Sequence, residues 1–178
     1  MKLLDELCNH LHDMDVDWHL CGGFAIDSYL GEITRKHKDI DITVSFDDMK
    51  ACIRYLKSKG WKIDAPVGNQ RLVSVEMALE RSDLYFDNIW CYKEGADFID
   101  TEKTEGIFKY MEFINREQTE LDFIEVLFNK VENGVFYYQK NYNITVTADK
   151  AFIKKGEISV LAPEIILLYK ARNYNNDD

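Results

Sequence analysis

Long apolar runs are missing from this chain of 178 residues. Nothing in it approaches the roughly 20 consecutive apolar residues that a spanning helix needs, so no membrane segment is expected. The opening MKLLDELCNHLHDMD carries acids where a signal peptide would have its apolar centre, and reads as mature sequence. Cysteine is sparse and scattered at Cys8, Cys21, Cys52 and Cys91, with no C-x-x-C pair and no Cys/His cluster at zinc spacing. A disulfide framework and a zinc module are both unsupported, and reduced thiols in a cytoplasmic protein are expected. With only two prolines and no low-complexity tract, no linker is marked. One domain over residues 1–178 is the expectation, with a small helical part from about residue 160.

Basic residues are also in deficit. Lys and Arg number 22 against 32 Asp and Glu, a formal net charge of −10. A nucleic-acid binder normally shows a basic face, so no nucleic-acid partner is expected. The same surplus suits attraction of a cationic ligand, and equally suits simple solubility.

What the chain does hold is concentrated between Cys21 and Val44, CGGFAIDSYLGEITRKHKDIDITV. Asp39-Ile40-Asp41-Ile42-Thr43-Val44 alternates polar with β-branched residues, the period-2 pattern of a strand. Asp39, Asp41 and Thr43 then share one face. Two carboxylates about 6–7 Å apart along a strand repel each other unless a cation lies between them, and Mg²⁺ is the usual ion where phosphates add ligands. Upstream, Trp18-His19-Leu20-Cys21 reads as a strand and Phe24 to Leu30 as a helix stopped by Gly31. Gly22 and Gly23 at the turn between them would let backbone N–H groups and a helix N-terminus approach a phosphate. Arg35 and His37, in the basic loop ahead of the aspartates, are further candidates for phosphate, with His37 open to ribose as well.

The arrangement GG-x-AID-x-x-LG-x-x-TR-x-H-x-DID resembles the signature of the nucleotidyltransferase superfamily (polymerase β-like). Within it, the chain is similar to the aminoglycoside 2''-nucleotidyltransferases and related antibiotic-adenylylating enzymes. The pattern is filled by Gly22, Gly23, Ala25, Ile26, Asp27, Leu30, Gly31, Thr34, Arg35, His37, Asp39, Ile40 and Asp41. The resemblance implies a mixed, twisted sheet flanked by helices, an α/β (more strictly α+β) nucleotidyltransferase fold. It implies Mg²⁺ on Asp39 and Asp41, and ATP or another NTP as co-substrate. It also implies a phosphate-contacting lysine on the last helix, here Lys170 in LAPEIILLYKAR. Relatives commonly continue into further helices, so a homodimer partner is a candidate to complete the acceptor site.

Such chemistry calls for a third carboxylate, as ligand or as base. Glu125 in Ile124-Glu125-Val126 and Asp122 in Leu121-Asp122-Phe123 compete for the part, and Asp87 stands behind them. A spacing of three sends Glu125 and Asp122 to opposite faces of a strand, so one alone can serve. Asp27 reads as structural, tying the basic loop to its helix.

Elsewhere, Leu3, Leu4, Leu7, Cys8 and Leu11 mark a first amphipathic helix, and Asp47-Asp48 an N-cap before another. Trp61–Ile63, Leu84–Tyr92, Ile107–Phe113 and Leu121–Phe128 read as strands, while Arg71 to Leu79 fits strand or helix. Asn133-Gly134 signals a hairpin, and Pro163 a helix start. Glu94 to Glu105 reads as a long loop whose Glu94, Asp97, Asp100, Glu102 and Glu105 would border the cleft and attract a cationic acceptor. The expected function is transfer of AMP to a hydroxyl of a small molecule, an aminoglycoside-like antibiotic being the leading candidate. A protein-adenylylating enzyme and a non-catalytic nucleotide-binding domain are the alternatives.

Overall fold

The computed structural model describes residues 2–96, 98–113 and 117–171. Helix α1 (Lys2–Leu11) buries Leu7 and Leu11, the inner part of the stripe read from the sequence. Strand β1 (Trp18–Cys21) runs straight into α2 (Gly22–Leu30), which Gly31 ends in the left-handed region at φ 81°. After the basic loop, β2 (Asp41–Ser45) leads through a short 3-10 turn into α3 (Met49–Ser58). Ser45 caps the 3-10 turn, accepting from the Asp47 N–H at 3.4 Å, and Asp48 takes the N-cap position of α3 without a side-chain hydrogen bond to it.

The ambiguous stretch after Arg71 proves to be both things in turn. Strand β3 (Lys62–Pro66) turns through Gly68 into β4 (Arg71–Ser74), and α4 (Val75–Glu80) follows at once. Ser74 makes the switch by accepting from Met77 N–H at 3.4 Å. Strand β5 (Asn88–Tyr92) is followed by β6 (Phe98–Glu105) and β7 (Phe108–Phe113). The long loop expected over Glu94–Glu105 is therefore mostly an edge strand, because β7 supplies its hydrogen-bond partners through a hairpin at Gly106. Asp97 lies outside the described residues.

Strand β8 (Phe123–Glu132) forms the expected hairpin with β9 (Val135–Tyr137). Asn133 and Gly134 both take positive φ, 52° and 74°, as a tight two-residue hairpin turn requires. Strand β10 (Thr145–Thr147) pairs with β9, and a single turn, α5 (Ala148–Ala151), precedes β11 (Phe152–Lys155). Strand β12 (Ile158–Leu161) and α6 (Pro163–Ala171) complete the described chain.

The strands form a mixed sheet in the order β11-β12-β1-β2-β8-β5-β3-β4-β7-β6, with β9 and β10 extending from β8. Two pairings are parallel: β1 with β12, and β2 with β8. The second sets the site, since it places Asp41 opposite Glu125. Ile42 and Val44, Val126 and Phe128, and Ile89 and Cys91 are all buried around this junction. Each such aliphatic or aromatic side chain contributes about 1.5–3 kcal/mol by leaving water, which holds the paired strands in one register. Among the described residues, no helix is long and apolar enough to cross a membrane.

Candidate active site

Gly22 closes β1 and opens α2 with φ 63°. A side chain there would run into the carboxylate of Asp41, and one at Gly23 would meet the rings and arms of His37 and Arg35. Both glycines are thus needed to bring the helix N-terminus against the aspartate strand, and both line the cleft.

The basic loop is held from two sides. Asp27 on α2 accepts from Thr34 N–H (3.2 Å), Thr34 Oγ1 (2.6 Å) and His37 Nε2 (2.6 Å). Burial works against its charge, but the Thr34 and His37 hydrogen bonds hold the carboxyl below its usual range. On the other side, His37 O accepts from Gln118 N–H at 2.7 Å, and Lys36 pairs with Glu117 at 2.7 Å. The structural role expected of Asp27 matches these contacts.

His37, expected as a phosphate or ribose contact, lies on the inner side of its loop. It is 4% exposed, its ring tilted against Phe24 with centroids 4.2 Å apart, and its Nε2 is bonded to Asp27. With Nε2 given to Asp27, the other side of the ring, Nδ1, lies against Gly23. The imidazole orients the loop that presents Arg35 and Lys38.

Asp39, Asp41 and Glu125 converge, each with an oxygen within 4.8 Å of the others. Strand β2 begins at Asp41 rather than Asp39, yet the ladder reaches further, since Glu125 N–H donates to Ile40 O at 2.9 Å. Glu125 is oriented from β5 by Asn88 Nδ2 and by Trp90 Nε1 (3.4 Å), both donating to Oε1. Asp122 lies just ahead of β8, where its side chain accepts from Gln118 at 3.3 Å and its carbonyl from Lys93 N–H at 2.9 Å. The structure brings Glu125 to the aspartates and leaves Asp122 outside the cleft.

Burial, with the charges of Asp39 and Glu125 beside it, pushes the Asp41 carboxyl well above the usual range. Burial also raises Glu125, against the pull of the Asn88 hydrogen bond. Asp39 is raised by burial too, while Arg35, His37, Lys170 and Lys38 pull it down. Three carboxylates so placed stay together only protonated or around a cation. An all-oxygen set of this kind fits a hard divalent ion such as Mg²⁺ better than a soft one.

The carboxylates open on a cleft of about 710 Å³. Gly22, Gly23, Arg35, Lys38 and Lys170 line it, as do Asp87, Asn88, Gln139 and Lys140 on the β5 side. There Lys140 pairs with Asp87 at 3.1 Å and Gln139 Nε2 donates to the Tyr85 hydroxyl at 3.3 Å, two bridges between neighbouring segments. Among the described lining residues, Asp39, Asp41, Asp87 and Glu125 are matched by Arg35, Lys38, Lys140 and Lys170. The charge of the chain as a whole is therefore not the charge of its cleft. The acidic β6 stands at the far edge, five strands from β8, about 24 Å at ordinary strand spacing. The sheet order corrects the expectation that Asp100, Glu102 and Glu105 border the cleft. Glu94, just past β5, pairs with Lys62 at 3.6 Å and is not among the residues lining the cleft. Asn88, Lys38 and Lys140 went unassigned in the sequence, and Asp87 was read there only as a third candidate for the catalytic carboxylate.

A family model of the aminoglycoside-2''-adenylyltransferases matches residues 3–118, well over half of the chain. The chain belongs to this family. It is accordingly a nucleotidyltransferase, of the branch that adenylylates antibiotics. The match carries Gly22, Gly23, Arg35, Asp39 and Asp41, but stops short of Glu125 and Lys170, which rest on geometry. No curated protein matches the sequence. Among solved structures, the lincosamide antibiotic adenylyltransferase LnuA with lincomycin bound shares the fold at TM-score 0.55 and 18% identity. That likeness covers 94% of this chain and 84% of LnuA. ANT(2'')-Ia in complex with adenylyl-2''-tobramycin matches at TM-score 0.50 and 14% identity, over 99% of this chain and 79% of its own. At these identities the family member shares their mixed α+β architecture, and the likeness speaks for the fold alone.

Proposed function

We propose that the protein transfers AMP from ATP, or another NMP from its NTP, to a hydroxyl of a small antibiotic in a Mg²⁺-dependent reaction. The observation that carries this reading is a single cleft. It combines three convergent carboxylates, a Gly-Gly helix N-terminus and four basic side chains. Asp39 and Asp41 would hold Mg²⁺, with Glu125 beside them, and the ion would supply neutralisation of the phosphate charge. Gly22 and Gly23 admit the triphosphate to the α2 N-terminus, and Arg35, Lys38 and Lys170 balance its oxygens. Glu125, its basicity raised by burial, takes the proton of the acceptor hydroxyl as that oxygen bonds to the α-phosphorus. The bond from the α-phosphorus to pyrophosphate breaks as the new one forms. The acceptor lies on the β5 side, against Asp87, Asn88, Gln139 and Lys140. A balanced cleft favours an acceptor of modest charge as readily as a polyamine.

The test is incubation with ATP and Mg²⁺ plus lincomycin or tobramycin, with mass spectrometry of the acceptor and assay of pyrophosphate. Gain of one AMP by either acceptor, with equimolar pyrophosphate, is expected. Absence of both products, or AMP appearing only on proteins of an added lysate, would overturn the small-molecule reading.

A further inference from the structure

A buried hydrogen-bonded chain runs from the aspartate strand to the last helix. Asn129 Nδ2 donates to Thr43 Oγ1 at 2.6 Å, and the Tyr169 hydroxyl donates to Asn129 Oδ1 at 2.8 Å. The same hydroxyl accepts from Gln139 N–H at 3.3 Å. Thr43 is 1% and Asn129 3% exposed, so water cannot stand in for a lost partner there. Each member sits one short step from a residue of the cleft. Thr43 is two along β2 from Asp41, and Asn129 four along β8 from Glu125, even steps that keep one face of the sheet. Tyr169 directly precedes Lys170.

Helix α6 otherwise has a modest hold on the sheet. Ile165 and Ile166 are buried, while Leu167 is 58% exposed. Among the described residues, its other polar side-chain tie is Tyr138 Oη donating to Leu168 O at 3.3 Å, with the Tyr138 and Tyr169 rings edge-on at 4.6 Å. Consecutive residues point about 100° apart around a helix, so fixing Tyr169 fixes the direction from which Lys170 leaves. Lys170 has a long, flexible stem and reaches a cleft that also holds Asp39 and Asp41. A small rotation of α6 would hand its ammonium to the carboxylates instead of to an incoming phosphate.

We infer that Tyr169 is a positioning residue: through Asn129 and Thr43 it locks α6 to the carboxylate strands and so holds Lys170 where a polyphosphate binds. This rests on the proposed reading of Lys170 as a phosphate contact. The Thr43 end makes the lock specific, because a merely packed tyrosine would have no reason to act through a hydroxyl on β2.

The experiment is a double-mutant cycle read by calorimetry, with inorganic pyrophosphate and Mg²⁺ as the probe and adenosine as the control. The variants are Tyr169→Phe, which keeps the ring, Thr43→Val, which keeps the shape of the far end, Lys170→Met, and each of the first two combined with Lys170→Met. Lys170→Met is expected to weaken pyrophosphate binding about 10-fold or more, and Tyr169→Phe about 3- to 10-fold. Each combination should be within about twofold of Lys170→Met alone, since both routes converge on one ammonium. Adenosine affinity should be unmoved by Tyr169→Phe. A silent Tyr169→Phe, or a loss that persists undiminished in the Lys170→Met background, would overturn the inference and leave the proposed function standing. A silent Lys170→Met, or no pyrophosphate binding by the unaltered protein, would overturn the phosphate role of Lys170 and the inference with it.

Discussion

Asp41 and Glu125 stand directly opposite one another across the parallel pair of β2 and β8. The two carboxylates come from distant parts of the sequence, and their meeting is a matter of strand register rather than of any local motif. Slipping β8 by one residue would turn Glu125 into the core and bring Val126 or Ile124 to the cleft.

That placement separates two roles by experiment. Glu125→Gln should lower kcat by about 10²–10⁴-fold while nucleotide still binds, as expected for a lost general base. Asp41→Asn should cut Mg²⁺-dependent nucleotide affinity itself, measured by calorimetry with and without chelator. Asp122→Asn should change neither by more than about twofold, a surface-type effect. Turnover lost with Asp122→Asn and kept with Glu125→Gln would reverse the assignment.

Gly22 and Gly31 offer a matched pair of glycines at positive φ, 63° and 81°. Nothing lies within 4 Å of a side chain added at Gly31, so Gly31→Ala should cost only the backbone strain of about 1–2 kcal/mol and leave activity intact. Gly22→Ala adds a collision with the Asp41 carboxylate. It should lose activity by more than about 10-fold, consistent with a displaced reacting group. Melting temperature and kcat, measured together, distinguish the two.

The edge position of β6 makes its acids spectators. Glu105→Gln should leave acceptor KM and its salt dependence unchanged within about twofold, exposed charges at that distance being screened. Asp87→Asn should instead raise KM for a cationic acceptor several-fold, about 1 kcal/mol for a partly exposed charge contact. Steady-state kinetics across ionic strength provides the comparison.

His19 gives a stability prediction with a definite sign. Stacked on Phe152 at 3.7 Å and bonded to Ser159 at 2.7 Å, it is pushed by burial from 6.5 down to about 4, with Asp17 pulling only weakly upward. The unfolded chain then binds the extra proton between those values, so stability falls as pH drops below about 6.5 and the loss is complete below about 4. At pH 5 the penalty should be about 2 kcal/mol, at 1.36 kcal/mol per unit. Denaturant unfolding of the protein and of His19→Gln at pH 7 and pH 5 measures it, the variant losing less on acidification.

Most of the nucleotide half was legible in the sequence because its parts are contiguous. Gly22, Gly23, Arg35, Asp39 and Asp41 lie within one strand-turn-helix-loop-strand passage, and period-2 alternation alone orients the aspartates. His37 was read as a phosphate or ribose contact, and its burial was not legible because the carboxylate that draws it inward, Asp27, sits ten residues earlier on a helix. The acidic run was misread because its partner strand, β7, comes after it in the chain, and composition without pairing looks like a loop. Asn88, Lys140 and Tyr169 could not be found at all from local pattern, since each matters only through a contact made across the sheet.

The parallel pairing of β1 with β12 sets Leu20 beside Val160. The strand that carries the Gly-Gly turn is thus flanked by one that leaves the ribosome long after it. A growing chain would display both aspartates and both glycines long before β8, β12 and α6 were available to complete the cleft. Parallel partners so far apart close slowly, because loop entropy must be overcome before their contacts are gained. Nucleotide binding should therefore report on the finished fold, and a nascent chain halted before β8 should hold its motif intact and bind nothing.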